Sequence, residues 1–147
     1  MANDRCGNHP MKYDYGPEPY VFNIKQLGMM NQNFRTTLWT GKHMQLTLMS
    51  IPVGSDIGIE MHSDVDQLIC IVGGYGKVYM GNTPYSIKEK TTVNQNCAVL
   101  VPAGTWHNIV NVGRTPLKLY SVYAPPQHPF GTIHKTKEDA QHDEAHL

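Results

Sequence analysis

The stretch Gly54-Ser-Asp-Ile-Gly-Ile-Glu60-Met-His62-Ser-Asp-Val-Asp66-Gln67 decides how the rest of the chain is read. Glu60 and His62 lie two residues apart, so on a strand both side chains leave from the same face. Gln67, or its neighbour Asp66, opens the next apolar run. Further along stands Pro102-Ala-Gly104-Thr-Trp-His107-Asn108. Two imidazoles, a carboxylate and a carboxamide are a donor set for a divalent metal. The expectation is a metal site inside a small β-barrel.

The flanks support strands. Phe34–Thr40 is rich in β-branched and aromatic residues, Gly41-Lys42 gives a turn, and His43–Ile51 alternates, so the three read as a hairpin. Ile57–His62 reads as the strand carrying the first ligand pair. Gln67–Val72 is apolar on both faces, as a strand covered on both sides would be. Lys77–Met80, Tyr85–Ile87, Thr91–Val93, Cys97–Val101, Trp106–Val112 and Leu117–Tyr123 follow, separated by Gly, Pro and Asn turns. Tyr20–Ile24 is a further short strand candidate, and Leu27–Asn33 reads as a connector. No helix-period segment lies between residues 34 and 124, which disfavours a parallel α/β fold. Thr136-Lys-Glu-Asp139 resembles a capping box and predicts a short C-terminal helix. The expected organisation is an irregular N-terminal arm (1–19), one β-barrel (20–126) and a tail with a short helix (127–147). Tyr13, Tyr15 and Tyr20 would pack the arm onto the barrel or onto a partner chain.

A chain of 147 residues fits one domain with a real core. Lysine plus arginine equals aspartate plus glutamate at 12 each, so there is no basic field for nucleic acid or an anionic membrane. No apolar run approaches a membrane span, and the first residues lack the apolar core of a secretory signal. Of three cysteines, Cys70 and Cys97 read as small buried hydrophobes, and Cys6 with His9 lies in a polar tail. A reducing, cytoplasmic setting is expected. Of eight histidines, His128, His134, His142 and His146 fall in the C-terminal segment and are expected at surface or tail positions.

The two motifs resemble those of the cupin superfamily. Gly54, five residues, then Glu60-Met-His62 stands where that family has His-x-His; Gln67 stands where it has Glu, with six residues to Gly74. In the second motif Asn96 replaces a Gly, a substitution that tolerates a left-handed turn, and Pro102, Gly104, His107 and Asn111 match. The flanks, notably Pro102–Asn108 and Tyr123–Gly131, resemble small single-domain cupins similar to mannose-6-phosphate isomerase. The resemblance implies an all-β fold, the cupin double-stranded β-helix or jelly-roll barrel. It also implies a divalent ion held by Glu60, His62, Gln67 and His107. Relative to the family's three His and one Glu, carboxylate and neutral ligand have exchanged places, and the set suits Zn, Mn, Fe or Ni. Asp66 also satisfies an allowed spacing and remains open beside Gln67. Alternatively, Glu60 and Gln67 make polar hydrogen bonds in the barrel and no metal binds.

The resemblance suggests isomerisation of a sugar or sugar phosphate, with Glu60 moving a proton between adjacent carbons. A metal-dependent dioxygenase of a small chelating substrate and a non-catalytic small-molecule-binding module are the alternatives; one short barrel argues against a storage protein. Arg35 could hold a phosphate or carboxylate of the substrate, or face water at a strand edge. Tyr79 could offer the substrate a hydroxyl, and Trp39 and Trp106 could wall the pocket or pack in the core. A homodimer is expected, because the doubly apolar strand and the aromatic arm both need cover.

Overall fold

Side chains that alternate inward and outward build the strands of a computed structural model, which describes residues 14–145. Helix α1 (Ile24–Met30) precedes β1 (Arg35–Thr40), β2 (Gln45–Ile51), β3 (Asp66–Gly73), β4 (Gly76–Gly81), β5 (Lys88–Val93), β6 (Ala98–Val101), β7 (Trp106–Asn111), β8 (Leu117–Ala124) and β9 (Ile133–His134); helix α2 (Lys137–Ala145) closes the described chain. Every pairing is antiparallel. Six strands form one sheet in the order β6-β3-β8-β2-β1-β9, and β5-β4-β7 form the other. This is the jelly-roll architecture expected from the sequence.

Several local expectations change. The strand expected over Ile57–His62 is reduced to two bridges to β7, Asp56 with Val110 and Glu60 with His107. Gly58 sits between them at φ +97°, a conformation that breaks the pleat. The strand expected at Tyr20–Ile24 and the connector after it give way to α1. Asn23 caps that helix, its side chain accepting from the Gln26 N–H at 3.0 Å. Gly28 belongs to the helix because a Cβ there would stand 3.1 Å from Val72 Cγ2, so the glycine lets α1 lie close on β3. Only residues 88–93 of the Tyr85–Val93 region form a strand. Cys70 and Cys97 are half-buried rather than buried, while Cys6, His9, Tyr13 and His146 lie outside the described residues.

The large sheet has two apolar faces. Inside, Ile69, Ile71, Leu117, Leu119, Met49 and Ile51 join Val78 and Ile109 of the small sheet in the main core. Outside, Leu38 and Leu48 are covered by Leu27 of α1 and by Tyr15, Tyr20 and Phe22, whose rings stack at 4.0 Å and 4.7 Å. The inner face of the large sheet changes character along the strands. One register row pairs Ile71, Leu119 and Met49, and the next rows toward the other end pair Ile69, Ser121, Thr47 and Thr37, then Gln67, Tyr123 and Gln45. The inner face therefore runs from a mainly hydrocarbon row, in which Arg35 opposite Met49 and His134 beyond it are the polar exceptions, to a buried polar region, the chamber.

The expected capping box at α2 forms, with Thr136 N–H donating to Asp139 Oδ2 at 3.2 Å and Asp139 N–H to Thr136 Oγ1 at 3.1 Å. Among the described residues no helix is long and apolar enough to cross a membrane. Ile109 has no exposed surface and bridges the two sheets in the core. Ile109→Ala should lower unfolding free energy by about 2–5 kcal/mol, read as an earlier urea midpoint at unchanged slope. A loss below about 1 kcal/mol would mean that the surrounding core collapses into the space.

Candidate metal centre

The centre begins as a backbone contact. Glu60 N–H donates to the His107 carbonyl at 3.0 Å, and His107 N–H donates to the Glu60 carbonyl at 2.9 Å. A residue pair opposed in this way places both side chains on one face, and His62 returns to that face two residues later. The following loops are tied as well: Gly104 N–H donates to the His62 carbonyl at 2.8 Å, and Ala103 N–H to Asp66 Oδ1 at 2.9 Å. Asp66 is thus an exposed loop clamp, while Gln67 is 3% exposed and faces inward. Between the two residues that the spacing left open, the pleat turns Gln67 toward the chamber.

Glu60, His62 and His107 each present a ligand atom within 4.8 Å of the others. Ligands sharing one ion at about 2.0–2.2 Å lie at most about 4.4 Å apart, so small side-chain movements close the set. The polar atoms fit a metal. His62 Nε2, His107 Nε2 and Gln67 Oε1 are all buried without a hydrogen-bond partner, an expensive condition for groups that nothing engages. His107 Nδ1 donates to the Thr105 carbonyl at 3.0 Å, which leaves Nε2 as a lone pair facing the centre. Gln67 Nε2 donates to Ser121 Oγ at 3.2 Å, which orients its amide with the oxygen free.

Electrostatics point the same way. Burial raises the Glu60 carboxyl to about 7, with Arg35 pulling it down and Glu144 pushing it up. Its side chain keeps only 14% exposure. Burial, then His107 and Arg35, lower His62 to about 4, and burial lowers His107. The imidazoles are neutral near neutrality, so the 3.8 Å approach of His62 Nε2 to Glu60 Oε2 is not an ion pair.

The other expected site residues divide. Arg35 is 1% exposed and points into the chamber from β1, which overturns the strand-edge reading. Tyr79 alternates with the core residue Val78 and leaves the small sheet on its outer face beside Lys77. Trp106 precedes inward-facing His107 and also points outward. Trp39 sits near the N-terminal segment, its Nε1 donating to the Glu18 carbonyl at 2.7 Å.

Sequence reasoning missed three residues. His128 and His134, expected at the surface, are inside: His134 is 5% exposed, and His128 Nε2 is buried without a partner. Tyr123 is fully buried, its ring 5.7 Å from that of His62 and 5.3 Å from that of His128. The missed signal was Gln45, a polar residue at an inward strand position. Its Oε1 accepts from Gln127 N–H at 3.0 Å and His128 N–H at 2.9 Å, and its Nε2 donates to the His128 carbonyl at 2.8 Å. That amide pins the tail across the chamber.

Residues 47–123 match the family model described as a cupin domain. The uncharacterized protein YrkC of Bacillus subtilis is 56% identical over 127 residues, covering 86% of this chain and 68% of its own. The crystal structure of BH2720 from Bacillus halodurans matches with a TM-score of 0.87 at 50% identity, over 89% of this chain and 99% of that one. TT1209 from Thermus thermophilus, with a TM-score of 0.61 at 21% identity over 71% of this chain and 96% of its own, shares the fold alone.

A carboxyl near 7 must lose its proton to ligate. Metal affinity, followed by competition with a chelating dye, should therefore fall about tenfold between pH 8 and pH 6. Histidine 62, at about 4, adds nothing in that window. Glu60→Gln should bind more weakly and lose the pH dependence; a tenfold fall that persists in it would place the titrating proton elsewhere.

Proposed function

The chain belongs to the cupin domain family, and from that premise we propose that it is a metal-binding cupin enzyme that isomerises a sugar or sugar phosphate. The observation that carries the metal is the convergence of Glu60, His62 and His107 with unpartnered, buried Nε2 atoms. Gln67 is the fourth ligand in this reading, through its free Oε1. A divalent ion there would polarise a substrate hydroxyl or carbonyl. Glu60 is the proton carrier in this reading, acting as a loosely held ligand whose carboxyl is free to take and return a proton beside the substrate. Arg35 and the chamber wall orient the substrate. Tyr79 and Trp106, directed outward, take no part. The half-buried free thiols Cys70 and Cys97 suit a reducing cytoplasm.

Elemental analysis of protein purified without a metal column should give about one divalent ion per chain, and His62→Ala and His107→Ala should each release it. Aldose–ketose interconversion should then fall about 10²–10⁴-fold in kcat in Glu60→Gln. Full metal retention in both histidine variants would defeat the ligand assignment. Iron, manganese or nickel with substrate-dependent oxygen uptake would replace isomerase with dioxygenase, and failure to take up any metal would leave a small-molecule-binding module.

We also propose a homodimer through the outer face of the large sheet. Leu100 on β6 is 74% exposed beside half-buried Leu68 and Val122, an apolar strip that α1 leaves uncovered. Sedimentation should give a dimer that Leu100→Asp converts to monomer; a wild-type monomer of 16.5 kDa at micromolar concentration would end the proposal.

A further inference from the structure

The unpartnered polar atoms of the chamber are not confined to the metal centre. Arg35 Nε, Thr37 Oγ1, Thr47 Oγ1, Tyr123 Oη and His128 Nε2 are also buried without a hydrogen bond of normal geometry, with Tyr123 Oη near enough to the Thr47 and Ser121 hydroxyls to feel them. Arg35 is the largest fully buried side chain of the protein's described residues, and among those residues no carboxylate lies at ion-pair distance from it. An isolated buried charge is among the most expensive arrangements a protein can hold. Something must fix the guanidinium, and something must balance it.

What fixes it is visible. Arg35 Nη1 donates to His134 Nδ1 at 3.0 Å. An arginine only donates, so Nδ1 is the accepting nitrogen and Nε2 carries the proton. His134 Nε2 then donates to Asp143 Oδ2 on α2 at 2.8 Å. Phe34 lies under the guanidinium, its ring centre 5.6 Å from Cζ. The group is therefore held by neutral and distant partners, and its Nε–H remains directed at nothing. Its charge is felt throughout the chamber, at Glu60, His62, Tyr123 and His128.

A chain of packed rings connects this group to the metal centre. Ring contacts run from His107 to His62 at 5.5 Å, to Tyr123 at 5.7 Å, to His128 at 5.3 Å and to His134 at 6.5 Å. Thr37 and Thr47, opposite one another in register, lie on the inner face between the row of Arg35 and the row of Gln67. We propose that Arg35, with the Thr37 and Thr47 hydroxyls and His128 Nε2, forms a second pole of the chamber that binds the carboxylate of a substrate whose hydroxyl or carbonyl oxygens face Glu60, His62 and His107. This rests on the isomerase reading and narrows its sugar to a sugar acid.

Geometry at the pole favours carboxylate over phosphate. The pole offers one cation and neutral donors, since burial and Arg35 keep His128 uncharged. A carboxylate brings one negative charge and a planar pair of oxygens that suits a guanidinium edge. A phosphate is tetrahedral and brings about −1.5 to −2, so its second charge would be met by the ion and not by this pole.

A matched set of small probes tests the pole: glycerate, glycerol and glycerol 3-phosphate, titrated calorimetrically into zinc-loaded protein. Glycerate should bind at least tenfold more tightly than either of the others, and Arg35→Met should remove that preference. Asp143→Ala, a change on the outer helix that removes the acceptor of His134 Nε2–H, should weaken glycerate severalfold by freeing His134, and it serves if Arg35→Met does not fold. Equal glycerate binding in wild type and Arg35→Met, or in wild type and Asp143→Ala if only that variant folds, or tighter binding of glycerol 3-phosphate, overturns the proposal. Zinc content is read on the same samples. A chain that takes up no zinc yet binds glycerate through Arg35 loses the metal reading and keeps the carboxylate pole. A chain that holds zinc but shows no Arg35-dependent preference keeps the metal reading and loses the pole.

Discussion

Two hydrogen bonds between the backbones of Glu60 and His107 join segments that are distant in sequence, and the chemistry of the barrel depends on that joint. Neither residue belongs to a long regular pairing on both sides. Gly58 interrupts the strand just before Glu60, and the chain leaves into a loop just after His62. The ligand segment is thus locally weak, and its position is set by β7, which is itself held by β4 across its length. The Pro102–Gly104 turn, bonded to His62 and Asp66, closes the second side of the frame. Side chains held this way are positioned by main chain rather than by side-chain packing.

The division of the barrel into an apolar end and a polar end follows from register. Antiparallel partners share a face, and toward one end that face carries polar residues on several neighbouring strands, although Ile69 stands opposite Ser121 and Arg35 opposite Met49. Gln45, Thr47, Ser121, Tyr123 and Gln67 form such a block. Hydrocarbon at the other end supplies the stability that pays for it. Within the block some groups are satisfied, as Gln45 is by the tail, and others are left open, as His62, His107 and Arg35 are. That contrast separates scaffold from site more sharply than burial does, because both kinds of residue are equally enclosed.

The fold was legible because period-two alternation and Gly, Pro and Asn turns act locally. Asn96 illustrates this: expected as a stand-in for glycine, it adopts φ 75°. The capping box at Thr136 was legible for the same reason. The convergence of Glu60, His62 and His107 could be read because Glu60 and His62 share a face by spacing alone, and because the second motif carries its own turn. What escaped was long-range. His128 and His134 follow a run of prolines and look like tail; only the Gln45 amide, 83 residues away, turns His128 inward. Helix α1 was hidden by Gly28, which reads as a breaker locally and acts as a packing surface against Val72. Arg35 looked like an edge residue because its partner, His134, lies on the strand β9 that covers that edge.

The two sheets end differently, and this bears on how the molecule behaves when crowded. The outer strand of the small sheet, β5, is a run of lysine, glutamate and threonine, exposed along nearly its whole length. Charge of this kind repels an approaching backbone and guards an edge against the addition of foreign strands. The β6 edge of the large sheet, Ala98-Val-Leu-Val101, has no charge at all. Open main-chain hydrogen bonds and exposed Leu100 coincide there. Overexpression or partial unfolding should therefore nucleate aggregates at β6 and spare β5.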